Sequence, residues 1–362
     1  MKEMLPHSQL PDIRWLRDLQ INQLEAFHAR GFPTRNEEIW KYTDMLALSQ
    51  QKFTCATFTD LATSVDAFID KEIIKLVFVN GYYNPNLSDL SLLPQSIELS
   101  TISKALVTHE QIMQMFLTDI DTKRYPFASL NTALMTDGMY LSLPKNCSVK
   151  TPIHCVFINT HQQEFFTCPR NIIHVGENSE ATIIEEYITL DADNYLTCPV
   201  THLYAEDNAR INYYKNQAEA FGAYHVANIF IKQEQDSVIK CFSLDTGSRL
   251  AREDIHAVLQ APRAECQLHG FYHVTQDTQL IDNHVYIDHA ANHGSSNMLY
   301  KGILNKKSKA VFNGKVFVKK DTEQNAARQA NHNLLLSNDA EVNSKPELEI
   351  YAEDVKCTHG AT

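Results

Sequence analysis

Around Pro126 to Pro144 the pattern changes to short β-rich pieces, and it never returns to helix for more than two hundred residues. The pieces are Asn171–Val175, Ala181–Ile188, Thr201–Tyr204, Arg210–Tyr214, Tyr224–Lys232, Ser237–Ser243 and Asp254–Gln260. They continue with Glu265–Val274, Gln279–Ile287, Asn297–Leu304, Ala310–Val318, Asn333–Leu336 and Leu348–Tyr351. Each is rich in β-branched or aromatic residues and bounded by Asn, Asp, Gly or Pro, which supply turn conformations. A sandwich or barrel rarely needs so many consecutive strands without a helix. A solenoid simply adds rungs, each burying its inner face on the next. The expectation is therefore a mainly β chain with a parallel β-helix core, and a stacked β-sandwich is the alternative. No strict repeat is visible, so the number of rungs is not readable.

The first fifty residues read differently. Ile13, Leu16, Leu24 and Phe27 share one face at a 3.6-residue period, with Gln20 the polar exception, and Gly31 ends the helix. Thr34 precedes Glu37 at capping-box spacing, ahead of a second short helix through Trp40 and Tyr42. Leu76–Tyr83 reads as a strand and Ile97–Asp119 as mostly helix. Residues 1–130 are thus expected to form a mostly helical N-terminal region and 131–362 the β-helix core, with the boundary between residues 120 and 150.

Charge and cysteine usage narrow the function classes. A net charge of −12, spread along the chain, repels phosphate backbones and anionic lipids, so neither nucleic acid nor a membrane is an expected partner. Met1–Leu10 contains Lys2, Glu3, Pro6 and His7 where an export signal needs an apolar run, and no segment reaches bilayer-spanning length. The eight cysteines are scattered and include no Cys-x-x-Cys, which argues for reduced thiols and a cytoplasmic location. Composition is otherwise ordinary for a packed protein, with only 11 Gly in 362 residues.

Several motifs tempt an enzyme reading. Asp245-Thr246-Gly247-Ser248 matches the short aspartic-protease signature, but that mechanism needs two carboxylates and no second copy exists. A turn with Gly247 at positive φ accounts for the same residues. Gly314-Lys315 lacks the rest of a phosphate-binding loop and sits in a strand run. His284, His289 and His293 have metal-ligand chemistry, but on a strand His284 and His289 face opposite sides, so one ion reaches both only if a turn intervenes. A polysaccharide-active β-helix enzyme and a His-rich metal-binding protein are the competing functions. No catalytic constellation is complete, and the chain is expected not to be an enzyme.

At the end of the sequence, Cys357 and His359 stand two apart and would share one face of a strand. Both are borderline-soft ligands suited to iron and sulfide-bearing clusters, and Lys356 beside them would favour the thiolate. By residue type alone a buried structural pair stands ahead of a ligand pair.

Several blocks then carry a resemblance. Gly31, Pro33, Thr34, Glu38, Trp40, Lys41 and Tyr42 follow a Gly-x-Pro-Thr-x-x-x-Glu-x-Trp-Lys-Tyr pattern. Thr246–Asp254 forms a second block, and Tyr300–Leu304, Val311–Val316, Asn333–Ser337 and Pro346–Thr362 form a third. At these positions the chain resembles the SufD family, subunits of the SufB, SufC and SufD iron–sulfur cluster assembly complex. The related SufB carries His-Glu-Ala-Thr where this chain has His359-Gly360-Ala361-Thr362.

The resemblance implies a right-handed parallel β-helix and a scaffold role, with pairing to SufB, an ATPase supplied by SufC, and a part in iron acquisition. It implies that His359, with Cys357 as a neighbour of less certain role, contributes to cluster assembly at the SufB interface. Iron or a cluster would be held there only transiently and not by this chain alone; the isolated chain would form a homodimer. Members of the family usually continue into a helical C-terminal domain that docks on SufC. This chain stops at Thr362, so that domain reads as absent or truncated and SufC docking is in doubt.

Overall fold

The computed structural model describes residues 10–61 and 73–362; most of the Met1–Leu10 stretch read above lies outside them. A parallel β-solenoid of about 7 turns follows a short helical region. Two sheets face each other, and from Arg210–Ala218 onward the chain alternates between them strand by strand. One runs from Glu98–Thr101 to Glu341–Ile350 and the other from Tyr82–Tyr83 to Val355–Ala361. Along each path, parallel pairing stacks every rung on the last, so Leu250 lies beside Leu280 and Leu280 beside Lys309. Antiparallel pairing is confined to the start, where Phe78 meets Tyr83 and Leu99 meets Leu141. Ile74–Val79 and Glu98–Thr101 already belong to the sheets, so the solenoid begins ahead of residue 131.

Strict alternation places Ile229, Ile231, Ile255, Ala257, Val285, Ile287, Phe312 and Val316 in a single core between the sheets. The turns explain the low glycine content. Asn146, Asn178 and Asn208 adopt positive φ at successive turns, where asparagine tolerates the left-handed region, and their side chains form a ladder. Asn178 donates to Asn146 Oδ1 at 3.1 Å and Asn208 to Asn178 Oδ1 at 2.7 Å.

The expectation of β-rich pieces from Pro126 is corrected in its first half. Pro126–Leu134 is a helix, and every residue in it is buried. A helix covered on all sides has no apolar stripe to reveal it. It lies against the first helix, Arg14–Arg30, through Phe27 and Phe127, while Asn131 Nδ2 donates to the carbonyls of Pro169 at 2.8 Å and Cys198 at 2.7 Å. The first helix buries Leu16, Gln20, Leu24 and Phe27 and ends at Gly31, whose φ is 73°. The capping box is half made: Glu37 accepts from the Thr34 N–H at 3.0 Å, and the helix that follows is one 3-10 turn, Glu38–Trp40.

Trp40 from the first family-like block and Arg252 from the second are partners in one clamp. The Arg252 guanidinium lies 3.6 Å from the Trp40 ring centroid and donates to the Ile39 carbonyl at 3.0 Å, to Asp282 at 2.5 Å and to both oxygens of Asp254. Thr43 donates to the same Asp282 carboxylate. All of the Arg252 side chain is out of solvent, so its charge is tolerated only because these acids surround it.

The block Tyr300–Leu304 also has a packing role. Across adjacent rungs Gly270 lies beside Tyr300, and Tyr272 beside Gly302, each tyrosine ring occupying the space over a glycine. A Cβ added at Gly302 would sit 2.0 Å from the Tyr272 ring and 2.6 Å from Asn333 Oδ1. Gly302→Ala is therefore expected to cost about 1–3 kcal/mol, because an overfilled interior must push a ring off its rotamer. Denaturant unfolding of the two proteins checks this, and an unchanged midpoint would show that Tyr272 moves freely.

Candidate functional site

The tempting motifs resolve into structure. Asp245 is buried beside Lys215, and the positive φ in the turn that follows belongs to Ser248 at 66°, not to Gly247 as the sequence suggested. Gly247 is needed for closeness: a Cβ there would lie 2.3 Å from the backbone of Glu219. Gly314 points into the core within a strand, and Lys315 pairs with Glu349.

The three histidines are not brought together. His284 is held by Asp282 at 2.9 Å, while His289 faces the core and contacts Ser296 at 2.8 Å. His293 occupies an exposed left-handed turn. Among the described residues no group of three or more His, Cys, Asp or Glu side chains is placed to hold a metal ion.

Cys357 and His359 lie in Val355–Ala361, the last strand of its sheet, paired on one edge with Asn325–Leu335. The register sets Cys357 beside Ala327 and His359 beside Gln329. Ala327 and Gln329 are 1% and 3% exposed and face the solenoid interior, so the Cys357 and His359 side chains emerge on that same side. The expected shared face is observed.

The two residues differ in surroundings. Cys357 is half-buried against the core, and burial pushes its thiol up, opposed by the Ala327 backbone. Lys356 does not favour the thiolate as the sequence suggested, because it is paired with Ala326 on the opposite face. His359 is exposed and has no hydrogen-bond partner among the described residues, leaving both ring nitrogens open to a ligand.

The last rung is also where the surface changes. Among the described residues no strand pairs with the outer edge of Glu341–Ile350 or of Val355–Ala361. Leu334, Leu336 and Tyr351 are 55%, 55% and 58% exposed there. A free sheet edge with apolar side chains beside it is a template for association.

Fold and site together define a parallel β-solenoid whose last described rung carries a thiol and an imidazole on one face. Comparison with known proteins gives the family. The model of the SUF system FeS cluster assembly SufBD core domain matches residues 157–362, and that of the SufBD protein N-terminal region matches residues 5–155. The chain belongs to the SufBD family of SUF-system iron–sulfur cluster assembly proteins and is of the SufD type.

Its relatives include an iron–sulfur cluster assembly SufBD family protein of Synechocystis, 29% identical over 91% of this chain and 75% of the relative. The chloroplastic protein ABCI7 of Arabidopsis thaliana is 29% identical over 98% of this chain and 76% of its own length. SufD of Escherichia coli is 26% identical over 94% and 78%. Family membership supports a role in iron–sulfur cluster assembly. No helix among the described residues is long and apolar enough to cross a membrane.

Proposed function

We propose that the chain is a non-enzymatic scaffold subunit that pairs with SufB through its last rung and works with the SufC ATPase in the cytoplasm. His359 supplies a ligand to the iron or nascent cluster, and Cys357 supports it at the rim of the core. The observation that carries this reading is the placement of both side chains on one face of a strand whose outer edge has no strand partner among the described residues.

A cluster iron takes about four ligands, and this rung offers two, so the partner completes the shell. Iron or cluster therefore resides only in the complex, as cargo, and the same edge pairs two copies of the chain when SufB is absent.

Mixing the protein with SufB and SufC is expected to give one co-eluting species by size exclusion. Replacing Leu334, Leu336 and Tyr351 together by Ser is expected to weaken the SufB contact by at least about tenfold while leaving the far-ultraviolet spectrum unchanged. Separate elution of folded SufB and folded wild-type protein would overturn the pairing. An undiminished contact in the triple variant would place it elsewhere on the surface.

A further inference from the structure

Far from the last rung, the outer face of the first sheet and helix Glu110–Thr118 enclose a groove of about 620 Å³. An outward sheet face is ordinarily polar, yet rings line this one in sequence. Phe116 packs edge-on to His202 at 5.4 Å, His202 against Phe230 at 5.3 Å, and Phe230 against Tyr125 at 5.1 Å. Tyr125 stacks with His256 at 5.9 Å and 28°. Burial holds His202 and His256 below the usual imidazole range, so both present neutral flat faces.

The charges around the groove are unequally committed. Asp119 is paired with Lys232 at 2.5 Å, Glu206 with His174 at 2.8 Å, and Asp121 caps the backbone N–H groups of Lys123 and Arg124. Arg124, by contrast, has no carboxylate partner among the described residues, and its guanidinium lies 4.1 Å from the centre of the Tyr286 ring. Behind the floor, Arg170 is fully buried with only neutral partners: Asn131 at 2.9 Å, Thr132 at 2.5 Å and His202 at 3.2 Å. Of the two cations that line the groove, Lys232 is committed to Asp119 and Arg124 has no ion-pair partner among the described residues.

We propose that this groove binds a small, flat aromatic molecule bearing an anionic group, its ring against Phe230 and Tyr125 and its anion at Arg124. Ring stacking supplies area, and Arg124 offers the anion a guanidinium that no carboxylate occupies among the described residues. The site is separate from the cluster-assembly rung and does not depend on it.

The test uses 2-naphthoate and its neutral analogue 2-naphthylmethanol, titrated calorimetrically against the full chain. One site per chain is expected, with the anion bound about tenfold more tightly than the alcohol. Arg124→Gln is expected to erase that preference. Val258→Trp, which fills the groove from its half-buried sheet face, is expected to abolish binding of both.

Equal affinity of the wild type for anion and alcohol, or no saturable binding of either, would overturn the proposal. So would full binding by a folded Val258→Trp variant, which would place the probe elsewhere. Should that variant fail to fold, the wild-type and Arg124→Gln titrations decide alone.

Discussion

Lys215→Met is expected to lower folding stability by about 3–5 kcal/mol near neutral pH, the loss typical when one member of a buried charge cluster is removed and its partners stay. Lys215 sits inside the solenoid, 2% exposed, with Glu253 Oε2 at 2.9 Å and Asp245 Oδ1 at 3.6 Å. The 2.9 Å contact joins the ammonium to one Glu253 oxygen as a buried ion pair. Ser243 donates to the other Glu253 oxygen at 2.8 Å. Burial alone would push the lysine down, but the two acids outweigh it and hold its ammonium above the ordinary range. Met fills similar space without charge and strands both carboxylates in the core.

The pH dependence follows from Asp245. Burial pushes its carboxyl up to about 6 against the pull of Lys215, with Glu253 pushing the same way. A carboxyl whose folded value exceeds its unfolded one favours folding when protonated, and its penalty grows as pH rises from about 4 to about 6. Without Lys215 that window moves further upward. The variant's deficit should therefore shrink between about pH 8 and about pH 5. Guanidinium unfolding of both proteins across this range measures it. Adding Asp245→Asn and Glu253→Gln to Lys215→Met should recover most of the loss. A deficit independent of pH would show that lost packing, not charge, is responsible.

That cluster also shows what the sequence displayed and what it concealed. Period-two alternation in Glu265–Val274 and Gln279–Ile287 exposed the strands directly, and their number argued for rungs. Interior polarity did not show: Lys215 stands between Tyr214 and Asn216 and Glu253 between Arg252 and Asp254, runs that read as solvent-facing, and only the facing of the two sheets brings them together. A faint repeat was present. Thr167-Cys168-Pro169 and Thr197-Cys198-Pro199 lie in register on neighbouring rungs, where Thr167 stands beside Thr197. The remaining rungs share no such residues, because a solenoid constrains inward volume and not identity.

The last rungs were the least legible part of the fold. Asn333–Leu336 was expected as a strand, but the strand runs Asn325–Leu335; Leu348–Tyr351 was expected, but it runs Glu341–Ile350. The missed residues are mostly Asn, Ala, Arg, Gln, Glu and Lys, weak strand formers that pair because the preceding rung presents a ready ladder. The Cys357–His359 spacing did predict a shared face. It carried nothing about the neighbours Ala327 and Gln329, which fix that face toward the interior.

His359→Ala gives the sharpest division between folding and function. The imidazole is exposed and unpartnered among the described residues, so its removal should change unfolding free energy by no more than about 0.5 kcal/mol. On the proposed reading, the same change removes one ligand, in the complex with SufB and SufC, from a shell that no single chain completes. Cluster yield, followed by visible absorbance during anaerobic reconstitution, is expected to fall by at least about tenfold. Cys357→Ser provides the contrast: its sulfur packs at the rim of the core, so stability should fall by about 1 kcal/mol, and a smaller loss of cluster is expected. Undiminished yield with His359→Ala in an intact complex would remove His359 from the site. A collapse of yield with Cys357→Ser alone would instead make the half-buried thiolate the ligand, and His359 its neighbour on the strand.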